Sequence, residues 1–91
     1  MSLAHLLVFV NIFVESPSLD DVVQALMQLP NVEEIYEVSG EFDIVTLVSA
    51  ATVEEFSHFL KTKILKIIGI RSTVTSVVLN AHKGPRGSNG T

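Results

Sequence analysis

Val32-Glu33-Glu34-Ile35-Tyr36-Glu37-Val38-Ser39-Gly40-Glu41-Phe42-Asp43-Ile44-Val45-Thr46-Leu47-Val48-Ser49 decides the fold. Two runs rich in β-branched and aromatic residues, 32–38 and 42–49, flank Ser39-Gly40-Glu41. A three-residue connection containing glycine predicts an antiparallel hairpin, and Gly40 permits the positive φ that such a turn needs. Helical patterns lie on both sides. Upstream, Leu19, Val22, Val23, Leu26 and Leu29 recur at the i, i+3, i+4, i+7 spacing of a one-faced helix. Ser16 is its expected cap, with Pro17 at the first helical position and Asp20 and Asp21 in the first turn. Pro30-Asn31 ends it. Downstream, Thr52-Val53-Glu54-Glu55 matches a capping box. It opens a second helix whose stripe is Val53, Phe56, Phe59 or Leu60, Ile64 and Ile67. Lys61, Lys63 and Lys66 lie near its end, and Gly69 is the expected left-handed stop.

Further outward lie two more strands. Residues 3–14 are almost continuously apolar, as expected of a central strand buried on both faces. Residues 70–81 are rich in β-branched residues. The order β-α-β-β-α-β predicts an α+β, ferredoxin-like fold with a four-stranded antiparallel sheet. Two helices cover one face of it. Leu6, Val8 and Val10 point one way along the first strand, while Leu7, Phe9 and Val14 do not keep to that parity. The second face therefore needs a cover, and a second copy packed sheet to sheet would make a dimeric α/β barrel.

Composition bounds the rest. With 91 residues, 47% of them hydrophobic, and no cysteine or tryptophan, the chain is one domain of residues 1–82 followed by a tail, 83–91, without apolar periodicity. A chain of this size buries roughly 60–65% of its unfolded surface. Two-domain enzymes, disulfide scaffolds and thiolate metal sites are excluded. A charged fraction of 18% and a mean hydropathy of +0.45 exclude disorder for most of the chain. The apolar start is too short for a membrane span, which takes about 20 residues, and no basic residue precedes it as in a secretory signal. The cytoplasm is the expected location.

Net charge is −4 and the sequence pI is near 5.2, unlike the basic face of a nucleic-acid reader. All ten acids lie between Glu15 and Glu55 and all six bases from Lys61 onward. Solvated faces of a mixed fold account for this, as does complementarity between subunits. No phosphate-loop, dinucleotide, nucleophile-elbow or paired-histidine motif is present, so no catalytic residue, metal or cofactor is assigned. His5, His58 and His82 are scattered, and solvated or half-buried histidine accounts for each.

Two stretches could hold a ligand. Around Gly40, backbone N–H groups can turn outward together, and Asp43 just beyond could hold a cation such as an α-ammonium group. On residue types alone Asp43 reads first as a turn or strand-edge carboxylate. In Gly69-Ile70-Arg71-Ser72-Thr73-Val74-Thr75, simple alternation puts Arg71, Thr73 and Thr75 on one side, where hydroxyls and a guanidinium suit a carboxylate. Threonine is also simply a good strand former.

Taken together, Leu29-Pro30-Asn31-Val32 through Tyr36, Gly40 and Asp43, followed by Gly69-Ile70-Arg71-Ser72-Thr73-Val74-Thr75-Ser76-Val77-Val78-Leu79, resemble the effector domain of the Lrp/AsnC family. The similarity runs over about residues 4 to 83. The resemblance implies the βαββαβ fold, dimers through the sheets, often a ring of dimers, and an amino acid effector bound between dimers. Carried onto matching positions, it implies that Gly40, Glu41 and Asp43 hold the effector's backbone groups. Ser72, Thr73 and Thr75 line the site, with Tyr36 and Arg71 as further lining. Tyr36 reads equally as a packing residue.

Members of that family normally carry an N-terminal helix-turn-helix. Here the first strand begins at once, so the expectation is a stand-alone module without direct DNA binding. It would act by binding an effector or by co-assembling with full-length relatives. A small enzyme is the third reading, supported only by analogy with other dimeric α/β barrels. An ACT-type domain shares the element order and would place the sheets side by side.

Overall fold

The computed structural model describes residues 6–84. The elements are β1 (Leu6–Val14), α1 (Leu19–Met27), β2 (Val32–Glu37), β3 (Ile44–Ala50), α2 (Val53–Phe59) running into a π-helical turn (Leu60–Ile64), and β4 (Ile70–Val77). The sheet order is β2-β3-β1-β4 and every neighbouring pair is antiparallel. This is the expected four-stranded ferredoxin-like sheet with β1 inside it. Residues 3–5 of the expected first strand, His5 and residues 85–91 of the expected tail lie outside the described residues.

Register decides which side chains meet. Val8, Val10 and Ile12 stand opposite Val48, Thr46 and Ile44, and all six are fully buried. Val22 and Leu26 of α1, and Phe56, Phe59 and Ile64 from the second helical segment, close over them. Burying an aliphatic or aromatic side chain of this size stabilises by about 1.5–3 kcal/mol, so this one-sided core supplies most of the driving force. Thr46 is its buried polar residue, and its hydroxyl donates to the Val10 carbonyl at 3.0 Å. That bond removes the penalty of burying a hydroxyl.

The other face is not covered by a helix. Phe9 is 41% exposed, so in the single chain β1 is central but open on one face, whereas the continuous apolar run predicts burial on both. Strict alternation explains the difference: the residues paired in register with the core face all point to the helices. Val14, expected to break parity, keeps it and is buried with Val10 and Ile12.

Several boundaries differ from the sequence expectation. Ser16 and Pro17 lie in a turn, which the Ser18 N–H closes on the Glu15 carbonyl at 2.7 Å. Ser18 is therefore the N-cap, and its carbonyl accepts from the Val22 N–H at 3.0 Å. At α2, Thr52 Oγ1 accepts from the Glu55 N–H at 3.0 Å as the capping box requires. Glu55 Oε1 reaches back one residue further than expected and accepts from the Ala51 N–H at 2.7 Å. Val53, expected on the apolar stripe, is 61% exposed.

After Phe59 the helix widens, and the Leu65 N–H donates to the Leu60 carbonyl at 2.8 Å. The Thr62 hydroxyl takes the His58 carbonyl at 2.7 Å, a local bond that competes with regular helical pairing. Helical structure thus ends at Ile64 rather than Ile67. β4 ends at Val77 rather than residue 81, with the Val78 N–H still bound to the Leu7 carbonyl at 2.8 Å.

Gly69 has φ +105° but stops no helix; it precedes β4 directly. Its carbonyl accepts from the Glu15 N–H at 2.8 Å, and a Cβ built on it would sit 2.6 Å from Ser18 Cβ. This glycine lets the start of β4 approach the start of α1. Gly69→Ala is expected to cost about 1–3 kcal/mol from the disfavoured backbone conformation and more from the overlap. Urea unfolding measures the total. Adding Ser18→Gly should recover only the part of the overlap that falls on Ser18, leaving Val22 Cγ2 at 3.0 Å, since exchanging an N-cap serine for glycine costs just a few tenths of a kcal/mol.

Candidate functional site

The antiparallel register brings the two candidate stretches to one end of the sheet. Ile12, near the end of β1, stands opposite Ile44 at the start of β3 and opposite Thr73 near the start of β4. The connection entering β3 and the chain entering β4 therefore flank the same strand end.

The β2–β3 connection spans residues 38–43, longer than the three residues expected, and the Val38 N–H closes it on the Asp43 carbonyl at 3.1 Å. Gly40 has φ +122° with open space where a Cβ would stand, so backbone conformation rather than crowding calls for glycine. The lengthening has an identifiable cause in β1. The Asp43 N–H donates to the Ile12 carbonyl at 3.0 Å, and Asp43 Oδ2 accepts from the Val14 N–H at 2.8 Å. Phe42, expected in the strand, turns onto Phe13, with ring centroids 5.0 Å apart and planes at 55°. Such a tilted pair is a favoured aromatic geometry.

Asp43 is thus a staple between the hairpin and β1, with one carboxylate oxygen committed to the backbone. Glu41 is exposed on the turn. On β4 the register shifts: Ser72 stands opposite Phe13 and Ile70 opposite Val14, leaving Arg71 without an opposite residue. The expected row of Arg71, Thr73 and Thr75 is therefore broken at Arg71. Thr73 and Thr75 share the helix side with Ile12 and Val10, whereas Ser72 shares the open side with Phe13. In one chain Gly40, Glu41, Asp43, Ser72 and Thr73 gather at one end of the sheet, and Thr75 lies two pairs further in.

Tyr36 stands opposite Val45 on the open face and is 55% exposed, so it is not a packing residue in this chain; its hydroxyl donates to Glu34 Oε1 at 3.0 Å. His58 and His82 are exposed. Among the described residues, no group of three or more His, Cys, Asp or Glu side chains is placed to hold a metal ion. Among the described residues, no helix is long and apolar enough to cross a membrane.

Two surface depressions were not foreseen from sequence, and neither includes the hairpin tip. One, of about 620 Å³, lies between α1 and β2 and is lined by Val23, Met27, Val32, Ile35 and neighbours. The other, of about 470 Å³, lies on the open face over Leu7, Phe9 and Leu47. Both depend on residues brought together only by the crossing of elements, for which local periodicity carries no signal.

A family model described as the Lrp/AsnC ligand binding domain matches residues 7–87. The HTH-type transcriptional regulator FL11 of Pyrococcus furiosus is 32% identical over 79 residues, covering 87% of this chain and 52% of the relative. The chain spans about half the length of the curated relatives it matches. The crystal structure of TTHA0845 from Thermus thermophilus superposes with a TM-score of 0.80 at 30% identity, covering 87% of this chain and 99% of that one. A feast or famine regulatory protein from M. tuberculosis complexed with L-methionine gives a TM-score of 0.76 at 32% identity, over 89% of this chain and 54% of that one.

The staple makes a clean prediction. Asp43→Ala leaves the half-buried Val14 N–H without its acceptor and should lower stability by about 1–3 kcal/mol. Asp43→Asn keeps an amide oxygen for the same bond and should unfold near the parent midpoint. Equal losses for both variants in thermal denaturation would show that the charge, not the acceptor, matters there.

Proposed function

Because the chain belongs to the Lrp/AsnC ligand-binding domain family, we propose that it is an amino-acid-binding and oligomerisation module of transcriptional regulation rather than an enzyme. The observation that carries this reading is the gathering of Gly40, Glu41 and Asp43 with Ser72 and Thr73 at one sheet end. A carboxylate-bearing turn beside a hydroxyl-bearing strand offers complementary partners to a zwitterion. Asp43 and Glu41 suit an α-ammonium group. The N–H groups around Gly40, the hydroxyls of Ser72, Thr73 and Thr75, and the Arg71 guanidinium suit an α-carboxylate. The hydroxyls point to both sides of β4, so a complete pocket needs a second copy, with Tyr36 as lining.

The open face supplies the reason to assemble. Phe9, Tyr36 and Val74 are 41%, 55% and 47% exposed there. Two such faces packed together, with sheets about 10 Å apart, form the dimeric α/β barrel, and dimers joined at the ligand sites form a ring. A relative's bound L-methionine supports an amino acid as the effector class. A net charge of −4 speaks against the module itself reading DNA, and its place of action is the cytoplasm.

A second reading, a ligand-free partner that co-assembles with full-length relatives, is favoured by the open face alone. Scanning calorimetry against the common amino acids separates the two. A ligand at about 100 times its dissociation constant adds roughly 2.7 kcal/mol, which moves the midpoint of a small domain by several degrees. One selective amino acid should do so, and Asp43→Asn should abolish the shift without lowering the ligand-free midpoint. A shift retained in Asp43→Asn would remove Asp43 from the site; no shift with any amino acid would favour the assembly partner.

Assembly has its own test. Phe9→Glu places a charge on the open face and should yield a folded monomer in sedimentation velocity. An unchanged oligomer would place the interface elsewhere.

A further inference from the structure

Leu47 projects to the face that no helix covers, yet it is only 6% exposed, whereas Phe9 directly opposite it is 41% exposed. Something other than a helix shields it. The segment after β4 borders the same depression as Leu47. The Val78 N–H is held on the Leu7 carbonyl at 2.8 Å, and residues 80–84 then bound a depression of about 470 Å³ whose floor is Leu7, Phe9 and Leu47. Its far wall includes Glu34 of β2. The chain leaving the β4 edge therefore turns back over its own sheet.

Its grip is light. Val78, Ala81 and Gly84 are half-buried, one residue in three, while Leu79, Asn80, His82 and Lys83 are exposed. Leu79 is 93% exposed.

We propose that residues 79–84 form a strap that competes with a second copy of the chain for the open sheet face. The proposal rests on the reading that a second copy covers that face. Face-to-face sheets stand about 10 Å apart, and interdigitating side chains fill that space. A backbone segment that walls a depression over Leu7, Phe9 and Leu47 stands in the same layer, so the strap and the partner's sheet exclude each other over this half of the face. The strap lies over the first half of β1, whereas the candidate ligand site flanks its end. Strap release and effector binding are thus separate events on one strand.

The 91-residue chain has no cysteine, so Ala81→Cys in this chain carries its only thiol. Its rate of modification by a soluble thiol reagent is read from dilute to concentrated protein, with sedimentation velocity run alongside. If assembly releases the strap, the rate rises severalfold as the protein associates. A rate that falls or stays constant during association overturns the proposal, because the strap is then trapped in the interface or unaffected by it. No association at any concentration overturns the two-copy reading itself, and the strap proposal with it; sedimentation distinguishes that case. Ala81→Glu, which weakens the strap's hold with the chain kept at full length, should associate at lower concentration than the parent. Equal or weaker association would also overturn the proposal.

Discussion

Alternation along β1 governs the molecule. Val8, Val10, Ile12 and Val14 point to the helices, and Phe9, Asn11 and Phe13 point away. β1 is hydrogen-bonded on both sides, to β3 and β4, so a one-residue slip would turn its buried set to the open face and mismatch both ladders at once. The buried set leaves no freedom to slip, because Ile12, Ile44 and the hydroxyl bond from Thr46 to Val10 all lie on one side. The same alternation leaves a second face rich in large side chains that the two helices cannot reach. The core and the open face are two consequences of one apolar strand.

The end of β1 then positions the candidate site. Its carbonyl at Ile12 and N–H at Val14 are both engaged by Asp43, a residue 29 positions away from Val14. That engagement holds the hairpin against the central strand and turns Phe42 onto Phe13. A carboxylate whose one oxygen is fixed by a backbone N–H is oriented before any ligand arrives, and preorganisation reduces the ordering cost of binding. The structural and ligand-binding readings of Asp43 are therefore compatible: the bond to Val14 would aim the remaining oxygen.

What was legible in the sequence follows local periodicity. The element order, the central place of β1, the α1 stripe of Val22 and Leu26, the Thr52 cap and the positive φ of Gly40 all depend on residues a few positions apart. What was not legible depends on distant partners. Pro17 reads as a helix start until the turn onto Glu15 is seen. Gly69 reads as a helix stop until the approach of Ser18 gives it another reason. Arg71 reads as one of a row until the register shift opposite Phe13 and Val14 takes it out. For the site, residue types and their order were visible, but the faces they occupy were not.

A site at that strand end, as proposed, would have a thermodynamic consequence. Hydroxyls on both sides of β4 cannot converge on one small molecule within a single chain. A zwitterion held partly by one copy and partly by another binds the assembled state more tightly than the separate chains. By linkage, such a ligand stabilises the assembly by the same free energy with which assembly strengthens its binding. On the proposed reading, the open face of β1, with Phe9 and Phe13 on it, would drive association without fixing its extent, while a ligand at the strand end would bias how many copies join. A fold that closes only one side of its sheet is suited to coupling metabolite concentration to assembly, because assembly is the step that its own core leaves unfinished.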